Sequence, residues 1–180
     1  FQGKDLSGAN NFDDGIDIKT GGGVNLNPNS ASNNRDTGIF IDAPGAVTIT
    51  GSKDYASVYD NSTAILVDNN SSITISNISA YNNEFGFSLF VPDSVGTVTL
   101  KNISGRSDLA GFFVITKGTV SLTNVFWYGA DFGALIDNHS TLLRPVTLTN
   151  CSFNDTGMVA VDITSSGAIT LKSVNALYGD

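Results

Sequence analysis

A chain of 180 residues is one domain's worth, long enough to bury a core without disulfides or a structural metal. Seventeen acidic residues against nine basic ones give a formal net charge of −8, which lacks the Lys/Arg footprint that nucleic acid or an anionic membrane surface requires. Glu84 is the only glutamate, and the abundance of Asp, Asn, Ser, Thr and Gly suits turns and strands rather than helices.

Cys151 is the single cysteine, so no disulfide framework exists, and no apolar run is long enough for membrane insertion. The sequence opens at Phe1 without Met or a signal peptide, which reads as a processed or excised segment. Low charge, acidity and Asn/Thr/Gly richness point to an extracellular or cell-surface protein.

Residues 1–14 are polar, rich in Gly and Asn, and without periodicity; they read as an N-terminal loop or an incomplete first rung. Residues 15–180 repeat three short elements in a fixed order. The first is a small residue followed by apolar alternation: Gly15-Ile16-Asp17-Ile18, Gly38-Ile39-Phe40-Ile41, Ala64-Ile65-Leu66-Val67, Gly86-Phe87-Ser88-Leu89, Gly111-Phe112-Phe113-Val114, Gly133-Ala134-Leu135-Ile136 and Met158-Val159-Ala160-Val161. The second is a Val-Thr-Leu-like strand beginning at Val24, Val47, Ile73, Val98, Val120, Val146 and Ile169. The third follows a polar bend, as in Ile78-Ser79-Ala80, Ile103-Ser104-Gly105, Val125-Phe126-Trp127 and Cys151-Ser152-Phe153.

Successive copies lie 22 to 26 residues apart. Self-similarity at such a period marks a repeat architecture, and the links are too short for crossover helices. Three strands per period predict an all-β solenoid of about seven rungs, each roughly 24 residues long. Alternation places Val146 and Leu148 inside and Thr147 and Thr149 outside, with each rung stacked roughly 4.8 Å above the last. Asn77, Asn102, Asn124 and Asn150 recur at the bend between second and third strands, with Gly51 and Ser173 in equivalent slots. Asn tolerates the left-handed backbone of such a bend, and its amide can bond to the Asn one rung away, which predicts a structural ladder.

With its Gly-Ile-x-Ile, Val-Thr-Leu-Thr and Asn-Ile/Val/Cys-Ser elements over about seven tandem turns, the chain resembles the right-handed parallel β-helix of pectate-lyase-like proteins. That fold serves lyases, hydrolases, phage tailspikes and surface adhesins alike. The resemblance implies that an active site would lie on the outer face of the first strand. The outward residues there are Asp17, Phe40, Leu66, Ser88, Phe113, Leu135 and Ala160, and most are apolar. Of the motifs of polygalacturonase-like enzymes only Asp13-Asp14 is found, outside the repeats. The only histidine, His139, falls in a polar turn, and Arg35, Arg106 and Arg144 flank no recognisable carboxylate pair.

Phe40, Leu66, Phe90, Phe113, Ile115 and Leu135 therefore form a candidate interaction face, since a contiguous apolar patch usually marks a covered surface. Asp42, Asp68, Asp137 and Asp162 close first strands. Asp42 and Asp68, on successive rungs, are the candidate calcium ligands, against the simpler reading that each caps its own turn. Tyr81, Phe126, Tyr128 and Tyr178 are candidates for stacking on sugar rings. The outward Thr48/Thr50, Thr74/Ser76, Ser121/Thr123 and Thr147/Thr149 array is similar to ice-binding solenoids, but Lys101 and Lys172 interrupt it. Several Asn-x-Ser/Thr sequons follow from composition, and three sit in the ladder.

The expectation is a non-enzymatic structural or adhesive module of a surface protein or filament, needing no cofactor and packing through the apolar face and open ends. Its partners would be other copies of itself or another domain of a longer chain. The alternative is a polysaccharide-binding or polysaccharide-degrading β-helix.

Overall fold

A computed structural model describes residues 1–52 and 56–178, with all their side chains except those of Asp108 and Tyr178. The strands in chain order are β1 (Gln2–Ala9), β2 (Ile16–Lys19), β3 (Val24–Ser32), β4 (Thr37–Ala43), β5 (Val47–Thr50), β6 (Ala56–Tyr59) and β7 (Thr63–Asn69). They continue as β8 (Ile73–Val91), β9 (Val98–Thr116), β10 (Val120–Tyr128), β11 (Phe132–Asn138), β12 (Val146–Thr156), β13 (Val159–Ser165) and β14 (Ile169–Tyr178). Pairing is parallel throughout, each strand bonded to its counterpart one turn away, so the chain coils as a parallel solenoid of about seven turns, with no helix among the described residues. Residues 2–9 pair with β3 as the second and third strands of an incomplete first rung.

The expected alternation holds because every second side chain enters the same narrow interior. Ile16, Ile39, Ile65, Phe87, Phe112, Ala134 and Val161 form one interior column, and Leu26, Ile49, Ile75, Leu100, Leu122 and Leu148 another, continued at the last rung by the exposed Leu171. Burying each aliphatic side chain contributes roughly 1.5–3 kcal/mol, so the stack, rather than any single rung, offsets the ordering entropy. In the upper half the core becomes aromatic. Trp127 packs edge-on to Phe87 and Phe112, with ring centroids at 5.8 and 4.7 Å, and its Nε1 donates to Ser107 Oγ at 2.9 Å. The indole fits because Gly86, Gly105 and Gly111 surround it; a Cβ on any of them would overlap the ring.

Asn77, Asn102, Asn124 and Asn150 all have φ between 52° and 57°, and Ser173 shares that conformation. Asn102 Nδ2 donates to Asn77 Oδ1 at 3.0 Å, Asn124 Nδ2 to Asn102 Oδ1 at 3.0 Å, and Asn150 Nδ2 to Asn124 Oδ1 at 2.8 Å.

A second ladder, not anticipated, runs inside the bend between third and first strands. The main-chain and side-chain N–H groups of Asn11 donate to Asn34 Oδ1, those of Asn34 to Asn61 Oδ1, and those of Asn61 to Asn83 Oδ1, over 2.8–3.1 Å. Asn34, Asn61 and Asn83 are buried, and the preceding Asn33, Asp60 and Asn82 supply the left-handed turn. Each buried amide closes the polar groups of one turn onto the next, as buried backbone requires.

The last copy of the first strand corrects the sequence reading. Val161 and Ile163, not Val159 and Val161, continue the columns of Ala134 and Ile136, because the link 154–158 is two residues longer than Gly/small-residue spacing suggests. Asp162 therefore takes the outward place beside Leu135 that Ala160 was expected to hold, and Thr164 lies beside Asp137.

Candidate functional site

The first-strand face presents two outward columns. One runs Asp17, Phe40, Leu66, Ser88, Phe113, Leu135, Asp162; the other runs Lys19, Asp42, Asp68, Phe90, Ile115, Asp137, Thr164. The structure thus brings all six residues of the apolar face together over five consecutive rungs. Each is half-buried by its neighbours above and below, while the flanking strand residues Ile39, Ile41, Val114 and Ile136 are buried. Phe90 and Phe113 meet edge-to-face at 5.7 Å, an arrangement that aromatic quadrupoles favour.

Carboxylates frame this stripe at both ends. In one column Asp17 lies below Phe40 and Asp162 above Leu135; in the other Asp42 and Asp68 lie below Phe90 and Asp137 above Ile115, all exposed. Lys19 donates to Asp17 at 2.9 Å, which favours its protonated form and raises its pKa, and its ammonium lies over the Phe40 ring at 5.1 Å. Asp42 and Asp68 are vertical neighbours, but their column turns apolar at Phe90, so two carboxylates are all that it offers an ion there. The one three-acid cluster among the described residues is elsewhere: Asp13, Asp14 and Asp36 can bring carboxylate oxygens within 4.8 Å of one another. Burial raises the Asp14 pKa although Thr37 N–H donates to its carboxylate.

The second-strand face differs in kind. Its outward columns are Gln2, Asn25, Thr48, Thr74, Thr99, Ser121, Thr147, Thr170 and Lys4, Asn27, Thr50, Ser76, Lys101, Thr123, Thr149, Lys172. Among the described residues these columns carry three lysines and no carboxylate.

On the third-strand face Tyr59 and Tyr81 are paired, and beyond a register shift Arg106, Tyr128 and Asn154 succeed one another. Tyr59 and Tyr81 stack at 4.9 Å with rings 3° from parallel, and the Arg106 guanidinium lies 5.8 Å from the Tyr128 ring. One face of the Tyr81 ring is therefore covered by Tyr59. Phe126 and Tyr128 are nearly half exposed and border a shallow groove of about 280 Å³ with Ser104, Gly105, Ser152 and Asn154. A hydrogen bond to Asp155 holds the Tyr128 hydroxyl protonated and raises its pKa. The Tyr178 side chain lies outside the described residues.

His139 Nδ1 is 2.9 Å from Asp137 Oδ1, both side chains being more than half exposed, and among the described residues no hydroxyl or thiol hydrogen-bonds to the ring. Cys151 is buried, which pushes its thiol pKa up and disfavours the nucleophilic thiolate. Arg106 is engaged with Tyr128, and the Arg144 carbonyl accepts from Asn138 Nδ2 at 3.0 Å within its own link.

These observations define a parallel solenoid that carries an acid-framed apolar stripe over five rungs. The right handed beta helix region family matches residues 4–176, and the chain belongs to that family. No curated protein and no solved structure matches it significantly.

Proposed function

We propose that the chain is a non-enzymatic structural or adhesive module of an extracellular surface protein or filament, and that its first-strand face is a packing surface. The observation carrying this reading is the five-rung stripe of Phe40, Leu66, Phe90, Phe113, Ile115 and Leu135, on the face where a catalytic β-helix would need acids and bases in contact. The test is size-exclusion chromatography with light scattering over a concentration series, at low and physiological salt. Wild-type oligomers that Phe113→Asp weakens support the reading. A stable monomer that depolymerises an acidic polysaccharide replaces it.

A second reading, polysaccharide binding, draws on the groove beside Phe126 and Tyr128, where exposed rings stand among the Ser104, Ser152 and Asn154 polar groups. Retardation in a polysaccharide-containing gel, lost in a Phe126→Ser/Tyr128→Ser variant, would favour it.

A further inference from the structure

We propose that the occupant of the first-strand face is the second-strand face of another copy of this chain, so that copies pack side by side through two different surfaces. This rests on the packing role proposed for the first-strand face and names its partner.

The argument begins with the sign of charge on each face. Asp17, Asp42, Asp68, Asp137 and Asp162 stand on the first-strand face against one lysine, Lys19, which Asp17 already pairs. Among the described residues the outward columns of the second-strand face have Lys4, Lys101 and Lys172 and no carboxylate, Asp5 standing at the adjoining bend. Two first-strand faces apposed to each other would bring both sets of carboxylates together, within a Debye length of about 8 Å at physiological salt. A first-strand face apposed to a second-strand face pairs opposite charges instead.

Spacing then selects a register. Asp42 and Asp137 share a column and are four rungs apart, with Asp68, Phe90 and Ile115 between them. Lys4 and Lys101 also share a column and are four rungs apart, with Asn27, Thr50 and Ser76 between them. Both intervals are about 19 Å at ~4.8 Å per rung. With the two solenoid axes parallel, Lys4 meets Asp42 and Lys101 meets Asp137. Asn27 then faces Asp68 as a hydrogen-bond donor, and the Thr50 methyl group faces the Phe90 ring. Lys172 extends beyond the covered rungs. The repeat forces this match, since one rung height sets both columns.

A covered area of six rungs by four or five strand residues is about 29 by 15 Å, on the order of 400 Å² per copy, below the range of stable specific interfaces and of the size of a weak, transient contact. Association is therefore weak and depends on concentration. Because each copy offers one face and receives on the other, the contact is heterologous and builds rows rather than closed dimers.

The experiment is a charge swap read by light scattering and sedimentation. One variant carries Lys4→Glu and Lys101→Glu, the other Asp42→Lys and Asp137→Lys; all four side chains are exposed, and circular dichroism checks that both variants fold. Each alone is expected to associate at least about tenfold more weakly than wild type, and an equimolar mixture to recover association, because charge complementarity returns at every contact. Raising salt from about 0.05 to 0.5 M weakens the wild-type contact. A lysine variant that associates like wild type overturns the proposed partner face. If Phe113→Asp still abolishes that association, the packing role of the first-strand face survives with a different occupant. A wild type that stays monomeric throughout removes both.

Discussion

Replacing Asn61 by Ala tests the buried amide ladder, because Asn61 is bonded on both sides. Its Oδ1 accepts the main-chain N–H of Asn34 at 3.1 Å and Asn34 Nδ2 at 2.8 Å, while its Nδ2 donates to Asn83 Oδ1, Tyr59 O and Ala31 O. Alanine leaves the Asn34 main-chain N–H without its partner at a buried site, a loss of about 1–3 kcal/mol, and removes further bonds each contributing about 1 kcal/mol net. Some partners retain bonds: Asn34 Nδ2 still reaches Gly8 O, and Asn83 Oδ1 still accepts from the Asn61 main chain. The expected destabilisation is therefore about 2–4 kcal/mol, or roughly 5–15 °C in Tm for a chain of this length. Urea denaturation followed by Trp127 fluorescence measures it. Asn61→Gly should be no milder, since Asp60 rather than Asn61 takes the positive φ. At Asn124, whose φ is 55°, Gly should be milder than Ala, because a Cβ in the left-handed region costs about 1–2 kcal/mol. A loss below about 1 kcal/mol for Asn61→Ala, or the same Ala/Gly order at both sites, would refute the distinction between the two ladders.

Gly105→Ala should destabilise the upper rungs by about 3 kcal/mol or more, because the new Cβ overlaps both Trp127 and the Ala80 carbonyl oxygen; a shifted Trp emission together with a lowered unfolding midpoint reports it. Cys151 should resist a thiol-reactive chromogen in the native state at pH 8 and react once the protein is unfolded, and fast native labelling would contradict its burial. Since burial raises its folded-state pKa, the unfolded chain releases this proton first. The Cys151 contribution to stability is therefore fully present below the unfolded thiol pKa near ~8.5 and declines as pH rises through and above it, a slope that Cys151→Ser should reduce. Asp14, also raised, favours the folded state at low pH and loses that contribution as pH rises through the unfolded carboxyl pKa near ~4; Asp14→Asn should flatten this part of the stability–pH profile.

The interior was legible because a side chain's facing is a local property of an extended strand. Ile39 and Ile41 are buried around Phe40 for the same reason that Val146 and Leu148 are buried around Thr147. The outer Asn ladder was legible because one residue type returned at one bend. The inner ladder also leaves a trace, the doublets Asn10-Asn11, Asn33-Asn34, Asp60-Asn61 and Asn82-Asn83, but such doublets look like ordinary turn composition until Asn34, Asn61 and Asn83 are seen to be buried. The last first strand was misplaced by two residues because Met158-Val159-Ala160-Val161 has the same local pattern as Ala160-Val161-Asp162-Ile163. Only pairing with β11 distinguishes them.

The sequence by itself determined the repeat, the rung length, the inward residues of every first strand but the last and the residues of the apolar stripe, all of which follow from short-range periodicity. The tertiary structure decided what lies beside what across rungs. It put Asp162 above Leu135 and Asp42 four rungs from Asp137. It separated the carboxylate-framed first-strand face from the lysine-bearing second-strand face and set Trp127 among three glycines. Partners on successive rungs are 22 to 27 residues apart along the chain, and links of unequal length shift their alignment, so only the hydrogen-bonded register of the parallel strands fixes them.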